Sequence, residues 1–282
     1  MHVSRRLGRF IAGVSTIALL AIGSVSAVVP ASAAPTWAPA ATAPIRPGVQ
    51  TITAGAQCTA NFVLTNGTDV FIGQAAHCSG TGGSTETNGC DSGSLPVGTP
   101  VSIKSATAPA QTFTGTMVYN SWLTMQGRGE SNPDTCAYND FALIKLNPAD
   151  YGKVNPSIPR WGGPTGVNST GTAPGETVYT YGNSSLRFGV SQTSPKTGRS
   201  LGTCCSGWSH DVYTATPGIP GDSGSAFLDK NGRALGVLST VQIAPLAASN
   251  GVGDVSHEIA YMQSYSSFGS VNIALGTQPF TP

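Results

Sequence analysis

From Cys58 to its end the chain is cut into short β-forming runs that no helical repeat connects, and this punctuation argues against a helical bundle. "NFVLTNGTDVFIGQ" holds two such runs around Asn66-Gly67, a pair that favours a tight hairpin. "PVSIKS", "TFTGTMVYN", "DFALIKL", "ETVYTYG", "DVYTAT", "SAFLD" and "ALGVLSTVQI" follow, the last two flanking Asn231-Gly232. Strands of this length and spacing predict antiparallel β-barrels or a sandwich. The 36 Gly and 20 Pro among 282 residues suit a loop-rich β protein, and 39% hydrophobic residues suffice for a substantial core. A net charge of +1 offers no electrostatic reason to expect a nucleic acid partner. Only "VSHEIAYMQSYSSF" reads as a helix, with Ser256 as its cap and Ile259, Met262 and Tyr265 on one face.

The N-terminus has the pattern of an export signal. A basic "MHVSRRLGR" precedes an apolar stretch and the small-residue site Ala31 to Ala33, so residues 1–33 are expected to be a secretory signal peptide. Arg5-Arg6 leaves Sec and twin-arginine export both open. Residues 34–54, rich in Pro, Ala and Thr, read as a linker or short propeptide, and 55–282 as the folded domain. The six cysteines all follow the signal, an even count that predicts disulfides and an extracellular location. No stable membrane association is expected once the signal is removed.

Three sites carry chemistry. In "PGIPGDSGSAF" Ser223 stands among turn-forming residues, a setting that holds a hydroxyl on a tight loop of backbone N–H groups. In "GQAAHCSG" His77 ends a strand beside Cys78, which is placed to bridge to Cys58 and fix the backbone carrying the imidazole. That bridge closes a loop of about twenty residues, worth ~3 kcal/mol by chain entropy. In "YNDFALIKL" Asp140 opens an apolar run, where a carboxylate needs hydrogen-bond donors such as a histidine N–H. A lipase-type elbow is excluded because position 225 is Ser rather than Gly, and because His77 and Asp140 precede the serine. The histidines and cysteines lack metal-ligand spacing, so no metal and no cofactor is expected.

"AAHC", "NDFALIKL" and "GDSGSAF", in that order, resemble the chymotrypsin-like (trypsin-like) serine proteases, in particular their secreted bacterial members. The resemblance runs from about Gly55 to the C-terminal helix. It implies two antiparallel six-stranded β-barrels, the first carrying His77 and Asp140, the second Ser223. It implies a secreted endopeptidase, acting as a monomer on protein or peptide substrates through an acyl-enzyme. Ser223 would be the nucleophile, His77 the base and Asp140 its orienter, with the N–H groups of Gly221 and Ser223 as oxyanion hole. Asp222 would sit in a structural ion pair, with Arg160 or Arg187 as partner. Pro217, six residues before the nucleophile, would lie at the base of the primary pocket, and Ser239 and Val241 would form its wall. With no carboxylate at the base, small or apolar side chains before the scissile bond are favoured over Lys or Arg.

The segment between His77 and Asp140 is longer than this family leads one to expect, and "SGTGGSTETNGCDSG" supplies the surplus as a solvated loop. Cys90–Cys136 would staple it, leaving Cys204–Cys205 as a vicinal pair; the rival pairing joins the two loops instead. The alternatives to a protease are a catalytically inactive protease-fold binding protein, and an esterase or cell-wall hydrolase using the same three residues.

Overall fold

The computed structural model describes residues 1–2, 35–83, 87–242 and 246–282. The expected signal peptide, with its cleavage site, lies outside the described residues apart from the first two.

From Gln50 onward the chain forms two antiparallel β units. The first contains β1 (Gln50–Thr53), β2 (Ala56–Thr59), β3 (Val63–Thr65), β4 (Val70–Gln74), β5 (Pro100–Lys104), β6 (Thr112–Asn120) and β7 (Ala142–Leu146). The second contains β8 (Thr177–Tyr181), β9 (Pro195–Cys204), β10 (Ser209–Thr214), β11 (Ala226–Leu228), β12 (Ala234–Val241) and β13 (Asn250–Asp254). It closes as a six-stranded barrel in the order β10-β13-β12-β11-β8-β9. The first is an eight-stranded sheet, because β14 (Asn272–Ile273) from the C-terminal tail pairs with β3. Its order is β14-β3-β4-β7-β6-β5-β1-β2, so it carries two more strands than expected.

Both predicted hairpins form: β3 and β4 pair across Asn66-Gly67, and β11 and β12 across Asn231-Gly232. Strand alternation is plain in β6, where Phe113, Gly115 and Met117 are buried between exposed threonines. Each unit has its own interior. Ile45, Val63, Ile72, Ile103, Met117 and Ile144 fill the first, and Val178, Val212, Phe227, Leu235 and Val252 the second. The largest cluster draws on both units, joining Phe62, Phe71, Phe141 and Leu143 to Ala226, Leu228 and Val237. Burying a Phe or Leu of this kind stabilises by about 1.5–3 kcal/mol, so the units are held as one body.

Several expectations need correction. Residues 34–54 are not a linker: from Pro35 they are part of the fold, with Ile45 and Val49 buried and β1 paired to β5. The helix near the C-terminus, α3 (Val255–Tyr265), is capped by Asp254 rather than Ser256; the Asp254 side chain accepts from His257 N–H. Its Ile259 and Met262 are buried, whereas Tyr265 is half exposed under the Arg128 guanidinium. Two further helices, α1 (Ser121–Arg128) and α2 (Pro133–Tyr138), occupy the segment before Asp140. Asn120 and Asn132 cap them by accepting backbone N–H bonds. In the loop expected to be solvated, Gly89 and Ser92 are held to α1, whose Gln126 amide donates to their carbonyls at 2.8 and 2.7 Å.

Candidate active site

β4 is buried throughout and runs out at Ala75 into a single 3₁₀ turn, Ala76–Ser79, that carries His77. The next residue, Cys78, is bonded to Cys58 of β2, with Cα atoms 6.1 Å apart. Asp140 lies between α2 and β7, buried against Ser239 of β12. Its two oxygens divide the work. Oδ1 accepts the backbone N–H of His77 at 2.9 Å, while Oδ2 meets His77 Nδ1 at 2.6 Å and accepts the Ser239 hydroxyl at 2.5 Å. An ionised carboxylate only accepts, so this geometry assigns the proton to Nδ1 and leaves the Nε2 lone pair free to act as a base.

The electrostatics follow from the same contacts. Burial works against the imidazolium of His77, yet the charge and hydrogen bond of Asp140 outweigh it and raise its pKa above the ordinary 6.5. Burial also works against the charged form of Asp140, but His77 and the Ser239 and backbone bonds together hold it below the ordinary carboxylate value.

Ser223 lies on the loop between β10 and β11. Gly221 and Gly224 adopt φ of +95° and +86°, conformations open mainly to glycine. Gly224 has a second reason to lack a side chain: a Cβ there would lie 2.5 Å from the Thr59 carbonyl oxygen. The loop is docked on β2 by three bonds. Thr59 N–H donates to Ser223 O at 2.8 Å, Thr59 Oγ1 to Gly221 O at 2.7 Å, and Gln57 Nε2 to Gly221 O at 2.9 Å. Since β2 also holds the Cys58–Cys78 bridge, one strand braces both the serine loop and the histidine turn. Among the described residues, the backbone N–H groups of Gly221 and Ser223 have no protein acceptor, while those of Asp222, Gly224 and Ser225 are all engaged.

Asp222 is fully buried and pairs with Arg187, not with Arg160, whose exposed guanidinium lies 4.9 Å from the Trp161 ring centroid. A second cation that the sequence did not point to, Lys196, reaches the same carboxylate at 3.0 Å. Burial lowers the Lys196 pKa against the opposing pull of Asp222. Lys196 also donates to the Pro217 carbonyl at 3.0 Å, which ties the expected pocket base to the ion pair. Val241 is partly exposed and stands beside Gly218. Ser239, expected in the pocket wall, turns its hydroxyl to Asp140. The remaining cysteines pair as Cys90–Cys136 and Cys204–Cys205.

Gln57, Thr59 and Lys196 escaped the sequence reading because their roles arise only from pairing between distant strands. No local pattern marks them.

No family model and no curated protein matches this chain. Solved structures do. The crystal structure of Thermobifida fusca protease A superposes with a TM-score of 0.50 at 16% identity, over 82% of this chain and 99% of that one. A Glu endopeptidase structure gives 0.50 at 18% identity, over 77% of this chain and 89% of that one. The shared feature is the fold, that of the bacterial chymotrypsin-like serine proteases.

Proposed function

We propose that the chain is a serine endopeptidase in which Ser223, His77 and Asp140 form the catalytic triad. The observation that carries this reading is the division of labour at Asp140, which holds both the backbone and the ring of His77 and so presents a basic Nε2. Serine alone is a weak nucleophile at neutral pH, and needs such a base as attack begins. Ser223 Oγ adds to the substrate carbonyl as its proton passes to Nε2, and the carbonyl oxygen becomes an oxyanion. The unengaged N–H groups of Gly221 and Ser223 supply its donors, each worth about 3–4 kcal/mol in chemistry of this type. The imidazolium then protonates the leaving amine, and water repeats the cycle on the acyl-enzyme. Asp140 stays ionised throughout.

The likeness of fold to proteases supports a peptide substrate. Pro217 and Val241 at the expected pocket positions, with no acidic residue among them, favour small or apolar side chains before the scissile bond. Three disulfides and no free cysteine suit an oxidising compartment, in keeping with the export signal expected at the N-terminus.

Labelling with a fluorophosphonate probe tests the reading directly. The wild type should label covalently and Ser223→Ala should not. Casein and a peptide library then report proteolysis and preference. A wild type that fails to label, or a strong preference for Lys or Arg, overturns the corresponding part.

A further inference from the structure

Directly behind Asp140 lies a second acid that the triad chemistry does not use. Glu258 projects from α3 and is fully buried. Its Oε1 accepts the backbone N–H of Asp140 at 3.2 Å, and its Oε2 has no partner among the described residues. The approach is close enough to require glycine opposite: a Cβ on Gly253 would lie 2.5 Å from Oε1.

The charges around Glu258 decide its state. On its own helix stands His257, which faces the capping residue Asp254, itself paired with the buried His210. Across from it are Asp140, already committed to His77, the buried Tyr119, and Tyr138, whose carbonyl lies against Gly253. No Lys or Arg pairs with Glu258 among the described residues. Buried carboxylates survive as anions only with several donors or a cation. Glu258 has a single N–H donor, and its acidic neighbours are Asp140 and Asp254. Burial and the charge of Asp140 accordingly raise its pKa well above the ordinary value.

We propose that Glu258 is a positioning residue for the triad, a neutral carboxylic acid that anchors the Asp140 backbone without placing a second negative charge beside it. Asp140 needs rigid backing, because one residue orients both the ring and the main chain of His77. An ionised acid in the same place would overcharge His77 and hold it as imidazolium, unable to accept the serine proton. A neutral acid gives the anchor alone. The proposal rests on the protease reading for its kinetic consequences, but the state of Glu258 can be read without catalysis.

Two measurements need no turnover. Infrared spectra at neutral pH should show the carbonyl stretch of a protonated carboxylic acid in the wild type and lose it in Glu258→Gln. An NMR titration of His77, run in the Ser223→Ala background, should give the same midpoint with Glu or Gln at 258. A charged Glu258 would instead make the Gln variant titrate about one pH unit lower or more. That shift, or a missing infrared band, overturns the proposal whether or not the protein is a protease. The kinetic arm tests positioning. In Glu258→Ala kcat should fall about tenfold with KM unchanged, since one hydrogen bond to the Asp140 backbone is lost, and Glu258→Gln should restore it. An unchanged kcat in the Ala variant, or no rescue by Gln, excludes a positioning role. Failure of the wild type to label or cleave counts against the protease reading alone.

Discussion

Ser239 donates its hydroxyl to Asp140 Oδ2 at 2.5 Å, the same oxygen that meets His77 Nδ1 at 2.6 Å. A residue of the second unit thus holds the orienting acid of the first. Hydrogen bonds to charged groups contribute about 1.5–3 kcal/mol, and part of that should appear in the transition state, when the imidazolium forms. Ser239→Ala should lower kcat/KM by about tenfold or more, with fluorophosphonate labelling slowed in proportion. Ser239→Thr, which keeps the hydroxyl, should recover part of the loss.

Activity should fall as pH drops through the His77 pKa, because imidazolium cannot take the serine proton. Asp140 raises that pKa above the ordinary 6.5, so half-maximal kcat/KM should lie above 6.5. The stability that the charged pair contributes runs the opposite way: it is complete below the unfolded pKa and is lost as pH rises through the folded one. Asp140→Asn should cut kcat by about 10⁴-fold, since the amide no longer selects the tautomer with Nε2 free. pH-rate profiles of the two proteins check both points.

Asp222→Asn should be more damaging to the fold than to any single contact. It would leave Arg187 and Lys196, both nearly buried, without a counterion. Removing one partner of a buried pair costs about 3–5 kcal/mol. Urea unfolding should show the loss, with labelling of Ser223 reduced because its neighbour no longer anchors the loop.

Gly224→Ala joins two penalties, a positive φ and a methyl 2.5 Å from the Thr59 carbonyl. The strain alone costs about 1–3 kcal/mol. The loop would have to lift off β2, moving Ser223 with it. A crystal structure and a labelling rate should show both effects.

Glu258 predicts a stability signature of its own. The folded state keeps a proton that the unfolded chain releases above the ordinary carboxylate pKa of 4.5. As pH rises from there towards the raised folded value, the wild type should lose up to ~1.4 kcal/mol per pH unit relative to Glu258→Gln. Below about pH 4 the two should be equally sensitive to pH. Paired denaturation series across pH measure this.

The sequence was most readable where chemistry is local. Asn66-Gly67 and Asn231-Gly232 each mark a short hairpin turn with a glycine at positive φ, and "GDSGSAF" places its glycines where positive φ is needed. The helix α2 has a signal in the sequence: Asn132-Pro133 is a helix start, with an N-cap and a proline in the first turn. Residues 34–54 misled because Pro, Ala and Thr look like linker composition, while burial of Ile45 and Val49 depends on strands elsewhere. Choosing between Arg160 and Arg187 also required the fold, since only the path of the chain after β8 brings Arg187 to Asp222. Glu258 was hidden in a helix that reads as ordinary packing; nothing in "SHEIAY" tells that its carboxylate faces a buried aspartate.

The pairing of Asn272 with Thr65 and of Ile273 with Leu64 has a bearing on how such a chain matures. The sheet that begins near residue 50 gains its last strand from a segment made more than two hundred residues later. A polypeptide delivered end-first, from a ribosome or a translocation channel, therefore cannot complete this sheet until Asn272 and Ile273 arrive. Such long-range closure slows folding, and it delays completion of the sheet from which the His77 turn extends until those residues have been made.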